Sequence, residues 1–424
     1  MLLDRIRKLL AYFVFLPNIT PARVLFSSEI FPWAFLYSLR RSVVIPKAYR
    51  FLLAYLLLNA LMLAGTGGLL VSARSLFALV NSSFIFIAIQ SLEDEELAHL
   101  GKALFFVFGL NVVIGLVQYF GVFPDFLADF LRIFIERIQT EADLRGVSGL
   151  YSEPAYMSYA IHSFFLFYMF KKGIKLTSRN GIYALMALAI FDIFVIRSLT
   201  DIILLSLILL SIQRRENLIK IIPLVLVSFL LVYLYFDGHP SPPRSIAALQ
   251  DFVENQHYKD PVPWILDVSG FRLASVWGSY RYGLLHPLGS GLGNWGKASI
   301  DAIDGIGVDL SGLSYFVSKF GIDYTGVRPA CFGADLMLET GIVGFLLFVG
   351  VMWSFIFSKT LFADENTRPI LVLFVFNCFL LGTIGDPIPF ATFGLVCREK
   401  LLSFPSDYWP LKRNLICISC FFGH

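Results

Sequence analysis

Three polar clusters interrupt an otherwise apolar chain. The first holds Arg145, Gly146, Ser148, Gly149, Tyr151, Ser152, Glu153, Pro154 and Tyr156. Pro154 suits the first position of a helix, and Ser152 and Glu153 suit its cap. Capping accounts for neither Arg145 nor the two glycines. The second cluster holds Arg272, Trp277, Tyr280 and Arg281, then His286 and a run with Gly289, Gly291, Gly293, Trp295 and Gly296. Such glycines either form a simple turn or let backbone N–H groups cradle an anion. No Gly-Lys-Ser/Thr follows, so this is not a Walker loop. His286 alone suits a structural role; beside Arg272 and Arg281 it is also a candidate acid or base. The third cluster runs from Arg328 through Asp335 and Glu339 to Gly341 and Gly344. Glu339 is expected in the first turns of a helix, where the dipole tolerates an acid. Guanidinium groups suit bidentate phosphate binding, a carboxylate or imidazole suits proton transfer, and the aromatic rings suit sugar stacking or anchoring at a membrane interface.

These clusters must be positioned by membrane helices. The chain has 424 residues, 57% hydrophobic and only 15% charged, where soluble domains carry about 25% charged. Mean hydropathy is +0.72. A disordered chain, a disulfide scaffold and an ordinary soluble enzyme are excluded. A net charge of +3 gives no ground for a nucleic-acid partner. Cys417 and Cys420 have CxxC spacing without a second pair, so no zinc site is expected.

The fold class expected is all-α: a polytopic integral membrane protein with about 11 (10–12) transmembrane helices. Apolar runs place them near 22–39, 51–68, 70–91, 102–123, 155–170, 181–196, 200–212, 218–236, 334–358, 369–385 and 388–404. The run 9–20 is a half-span or an interfacial helix, and 126–138 is an amphipathic helix in the interface plane. Basic loops with Arg40, Arg41, Lys47 and Arg50, with Lys171, Lys172, Lys175 and Arg179, and with Arg214, Arg215 and Lys220 are assigned to the cytoplasm. Segments 124–154 and 237–333 then fall on the opposite face. The chain divides into an N-terminal bundle 1–236, a large extracytoplasmic loop 237–333 containing short helices, and C-terminal helices with a tail, 334–424.

Charges inside the spans are costly and therefore informative. Residues 181–212 must cross and return in two short arms, so the turn at Arg197 to Asp201 is expected to be sunken. Arg197 and Asp201 either pair as a structural lock or face a polar substrate cavity. Arg74, Asp192 and Glu29 carry weaker versions of the same question, and Asp386 reads as a turn residue.

The order of these motifs resembles the bacterial O-antigen polymerases, within the O-antigen polymerase and ligase superfamily. The likeness rests on the Arg145 to Tyr156 stretch with its Ser-Glu-Pro, on the Ser-Leu-Thr turn at 198–200, on the Gly-x-Gly-Leu-Gly run, on Glu339-Thr-Gly-Ile-Val-Gly and on Phe31-Pro32-Trp33. It implies inverting glycosyl transfer between undecaprenyl-diphosphate-linked glycans at the periplasmic face of the inner membrane. It implies no cofactor and no essential metal, and a chain-length regulator and a flippase as partners. Ligases carry a His just before the Glu-x-Gly-like helix; the stretch from Pro329 to Asp335 has none, which favours a polymerase. The resemblance points to Arg145, Glu153, Arg281 and His286 as catalytic. Arg272, Arg328, Arg244, Arg197, Asp201, Glu339 and Tyr156 are the substrate-binding candidates. A flippase or transporter of the same lipid-linked sugar is the alternative, weakened by the lack of internal repeats.

Overall fold

The computed structural model describes residues 2–20, 31–39, 43–63, 68–135, 138, 146–212, 244–259, 264, 272–307, 326, 328–402 and 416–417. The chain is mostly helical. In chain order the helices are α1 (Leu2–Val14), α2 (Trp33–Ser38), α3 (Lys47–Met62), α4 (Gly68–Ile89), α5 (Asp94–Tyr119), α6 (Asp125–Arg132), α7 (Pro154–Lys171) and α8 (Arg179–Phe191). They continue with α9 (Leu199–Ile212), α10 (Arg244–Glu254), α11 (Arg272–Leu285), α12 (Trp295–Asp304), α13 (Phe332–Ile356), α14 (Lys359–Ala363), α15 (Arg368–Phe379) and α16 (Ile388–Leu402). A short antiparallel ladder pairs Val44–Ile45 with Ile416–Cys417.

Among the described residues, four helical stretches are long and apolar enough to cross a membrane: α4, α5, α8 with its extension to Ile196, and α13. They match the spans expected at 70–91, 102–123, 181–196 and 334–358. Those expected at 51–68, 155–170, 200–212, 369–385 and 388–404 appear as the shorter helices α3, α7, α9, α15 and α16. The run 218–236 and the first half of 22–39 lie outside the described residues; the second half holds the short helix α2. The amphipathic segment is shorter than expected. Its helix, α6, stops at Arg132, which pairs with Asp129 at 2.5 Å.

Helix α7 is the hub. Pro154 occupies its first turn and Glu153 its N-cap position, as the sequence requires. The helix is apolar almost all round and buried almost throughout, the pattern of a central rather than a peripheral helix. It packs against α5, α9, α15 and α16. His162 sits halfway along this buried rod.

Helix α13 is discontinuous. Gly341 has φ 65° and ψ −170°, a conformation that breaks the helix after Thr340. The glycine-rich turn fills the break. Ser290 N–H donates to the Leu338 carbonyl (3.0 Å), Gly291 N–H to the Glu339 carbonyl (2.9 Å), and Val343 N–H to the Pro287 carbonyl (3.3 Å). Backbone groups freed by the break are thus paired by the inserted turn, as they must be where water is absent. Helix α11 runs beside the first half of α13 in the same direction: Val276 packs on Cys331 and Ala334, Gly283 meets the Met337 carbonyl, and Gly289 meets Glu339. Its outer side carries exposed Trp277, Leu284 and Leu285, with Leu288 just beyond. This part of the long connection is therefore a packed element with an apolar face, not a polar loop.

Candidate functional site

The stretch leading into α7 is held by buried amides. Gln118 donates to the Gly149 carbonyl (3.1 Å) and accepts from its N–H (2.8 Å), while Asn111 Oδ1 accepts from Leu150 N–H (2.9 Å). Gly149 has φ 57° and a Cβ there would stand 2.8 Å from Asn111 Oδ1, so glycine is required. Tyr151 donates to the Phe15 carbonyl (2.9 Å). Ser152 accepts from Asn18 Nδ2 (3.2 Å) instead of capping α7, which corrects the capping expectation. Gln118→Leu leaves both backbone groups of Gly149 unpaired. It should lower stability by about 2–4 kcal/mol, measured by thermal unfolding in detergent.

This scaffold delivers Glu153 to Arg272, and the two form a hydrogen-bonded ion pair across 119 residues of sequence. Burial alone would lower the Arg272 pKa. Tyr156 and Glu153 outweigh it and hold the guanidinium above its usual range. Two sequence candidates, Glu153 and Arg272, are thus brought together, with Tyr156 beside them.

A second pairing lies at the head of α13. Arg328 forms a fork with Asp335, Nε to Oδ1 and Nη2 to Oδ2 both 3.1 Å, and its Nη2 also donates to Ser75 Oγ (3.2 Å). Its guanidinium stands 5.9 Å from the Trp295 ring centre and 4.0 Å from Glu339 Oε2. Glu339 Oε1 accepts from Ser75 Oγ (2.9 Å) and from Gly293 N–H (2.8 Å). Two expectations are corrected here. Glu339 is not in the first turns of its helix but just before the break, held by α4 and the glycine-rich turn. The glycine-rich turn is no open anion nest, because the anion it holds is Glu339 itself.

Arg272, at the start of α11, and Arg328, shortly before α13, thus each hold a carboxylate, Glu153 and Asp335 respectively. Arg281 and His286 belong to neither pair. Arg281 lies about 14 Å further along α11 at about 1.5 Å per residue. Arg281, Tyr282, His286 and Asp301 line a cavity of about 310 Å³. His286 Nδ1 is 3.1 Å from the Tyr282 carbonyl and its ring stacks on Tyr282 at 4.1 Å. Partial burial, with Asp301 adding to it, raises the Tyr282 hydroxyl above its usual pKa.

The lock between Arg197 and Asp201 is absent. Arg197 donates from Nε to the Phe194 carbonyl (2.9 Å) and lies 5.5 Å from the Tyr119 ring centre. Asp201 turns inward towards His162, a residue the sequence reading passed over. Arg145 lies outside the described residues, and of Arg244 the structure describes only the backbone, at the start of α10. Asp386 is the turn residue expected; its carboxylate accepts from Ile388 N–H (2.9 Å), and burial pushes it up to about 7.

The chain matches no protein-family model, no curated protein and no solved structure. These groupings offer two arginines, each already paired with a carboxylate, and a separate small cavity beside Arg281. Such a set can bind diphosphate and, where a carboxylate is released, accept a proton.

Proposed function

We propose that this chain is an integral membrane glycosyltransferase that polymerises glycan repeat units carried on a polyprenyl diphosphate. The observation that carries this reading is the Glu153–Arg272 pair. It joins the Ser-Glu-Pro stretch to the long connection that carries the Gly-x-Gly-Leu-Gly run, two of the segments on which the family resemblance rests. The proposed site faces the periplasm of a bacterial inner membrane. The apolar outer side of α11 suits contact with lipid, the phase from which a polyprenyl substrate would arrive.

In the proposed reaction the acceptor sugar hydroxyl attacks the anomeric carbon of the donor glycan from the face opposite the diphosphate. The C–O bond to the lipid diphosphate breaks, and its electron pair leaves with the diphosphate. Arg272 and Arg328 hold that growing negative charge. Both are paired with carboxylates in the resting chain, so substrate binding requires an exchange of partners. The diphosphate takes the guanidinium of Arg272, and Glu153 is released to accept the hydroxyl proton. The arginine charge and the base become available together, only when substrate is present. Arg145 is placed with this group by its position in the motif. Arg281 and His286, with their cavity, are assigned to the sugar chain and not to the diphosphate.

The test is complementation in bacteria lacking their own repeat-unit polymerase, read as the ladder of glycan lengths. Arg272→Ala and Glu153→Gln should each cut polymerisation about 100-fold or more. Single units should still reach the cell surface. A full ladder from both variants rules out the partner exchange. Loss of single units as well as polymer would point to the flippase alternative.

A further inference from the structure

A buried cluster at the heart of the bundle plays no part in the reaction above. His162 lies in the middle of α7, Asp192 at the first residue of a π-helical turn (Asp192–Ile196) that extends α8, and Asp201 in the first turns of α9. Their relative exposures are 0%, 2% and 1%. Two uncommon backbone features bring the carboxylates to one ring. The π turn widens α8 at Asp192, and Arg197 closes it in a left-handed conformation with φ 57°. Such costly local geometry persists where the surroundings enforce it, often at a site.

The hydrogen bonding of the ring is decisive. His162 Nδ1 lies 2.8 Å from the Ser158 carbonyl oxygen. A carbonyl can only accept, so Nδ1 carries the proton and Nε2 faces Asp192, while Asp201 Oδ1 lies 3.9 Å from Nδ1. Nε2 is 3.2 Å from Asp192 Oδ2, close enough to interact but not aligned as a hydrogen bond. Both Asp192 oxygens and Asp201 Oδ1 are likewise buried without a hydrogen-bond partner among the described residues. Asp201 Oδ2 is oriented by Ser198 N–H at 3.2 Å. The charged neighbours of Asp201 are Asp192 and His162, and that of Asp192 is His162. Arg197, the nearest cation in sequence, is turned away to Phe194 and Tyr119. Two ionised carboxylates put two negative charges in an apolar interior, and a protonated imidazole would cancel only one of them, a costly state without a further counter-ion.

We infer that His162, Asp192 and Asp201 bind one divalent transition-metal cation between α7, α8 and α9. One donor atom from each residue lies within 4.8 Å of the other two. Donors held about 2.1 Å from a single ion stand about 3 to 4.2 Å apart, so small side-chain rotations close the set. A divalent ion cancels the two carboxylate charges. One imidazole with two carboxylates suits Zn²⁺ or Mn²⁺, with a further coordination position open. The imidazole proton given to a backbone carbonyl is the usual support behind a metal-bound histidine. The ion staples the returning hairpin α8–α9 to the central helix. It is a departure from the metal-free expectation raised by the family resemblance.

The test uses the full chain in detergent, stripped by a chelator and titrated separately with Zn²⁺ and Mn²⁺. Wild type should bind one equivalent per chain, and chelation should lower its unfolding temperature until metal is restored. His162→Gln and Asp192→Asn should each weaken binding more than about 100-fold, beyond the usual cost of losing a supporting group. Asp192→Asn keeps the side-chain shape and should fold. Folded wild type that binds neither ion stoichiometrically overturns the inference. So does binding unchanged in both variants, which would locate the metal elsewhere. If neither variant folds, the wild-type stoichiometry and its chelation response decide. A bare proton-sharing network would give stability insensitive to chelator, and that result also overturns it.

Discussion

Arg328→Ala is expected to destabilise the protein by about 3–5 kcal/mol, the cost of leaving buried charges without their partner. Arg328 meets Asp335 through two parallel contacts of 3.1 Å, and its Nη2 also reaches towards Glu339. Both carboxylates are fully buried. Removing the guanidinium leaves two buried acids without their cation in the first half of α13. Arg328→Lys keeps the charge but loses the fork, so an intermediate loss is expected. Asp335→Asn added to Arg328→Ala should recover part of the stability, because it removes one of the stranded charges. Thermal unfolding of the purified protein and of the three variants reads all of this. A loss below about 0.5 kcal/mol for Arg328→Ala would show that the pair carries no net stabilisation.

Gly341→Ala should be equally damaging, by a different route. The backbone there has φ 65° and ψ −170°, a region that costs other residues about 1–3 kcal/mol. An added Cβ would also stand 2.2 Å from the Pro287 carbonyl oxygen and 2.5 Å from Gly289 N. The inserted turn would have to withdraw from the break, exposing the carbonyls of Leu338 and Glu339. Gly350→Ala is the contrast. Its backbone is helical and nothing stands within 4 Å of the added Cβ, so little or no loss is expected. Unfolding temperature and protease resistance should separate the two variants clearly.

Much of the helical pattern was legible in the sequence, because four long apolar runs recur as four long apolar helices. The start of α7 was legible too, since Pro154 takes the first turn and Glu153 the N-cap position, but the turn of Ser152 to Asn18 was not. Long-range pairing was not. Nothing in the spacing says that Glu153 finds Arg272, or that Arg328 chooses Asp335. The glycine-rich run was seen, but the identity of its anion was not, because that anion comes from Glu339 on another helix. Glu339 itself was misplaced, since a helix that breaks and resumes at one glycine looks continuous in composition. His162 was missed for a plain reason. A single histidine in an apolar helix resembles an ordinary core residue, and the π turn that aims Asp192 at it leaves no mark in hydropathy. An ionisable residue within a span was the available signal.

The contact between Ser75 and Glu339 spans 264 residues. At about 5–20 residues per second, a ribosome needs roughly 13–53 s to make the chain between them. Through that interval α4 lacks the Glu339 carboxylate that Ser75 Oγ meets in the finished chain. The early bundle is therefore assembled around a vacancy that only the last third of the polypeptide can close. Chains released before residue 339 should be degraded, not stored, however complete their first helices are.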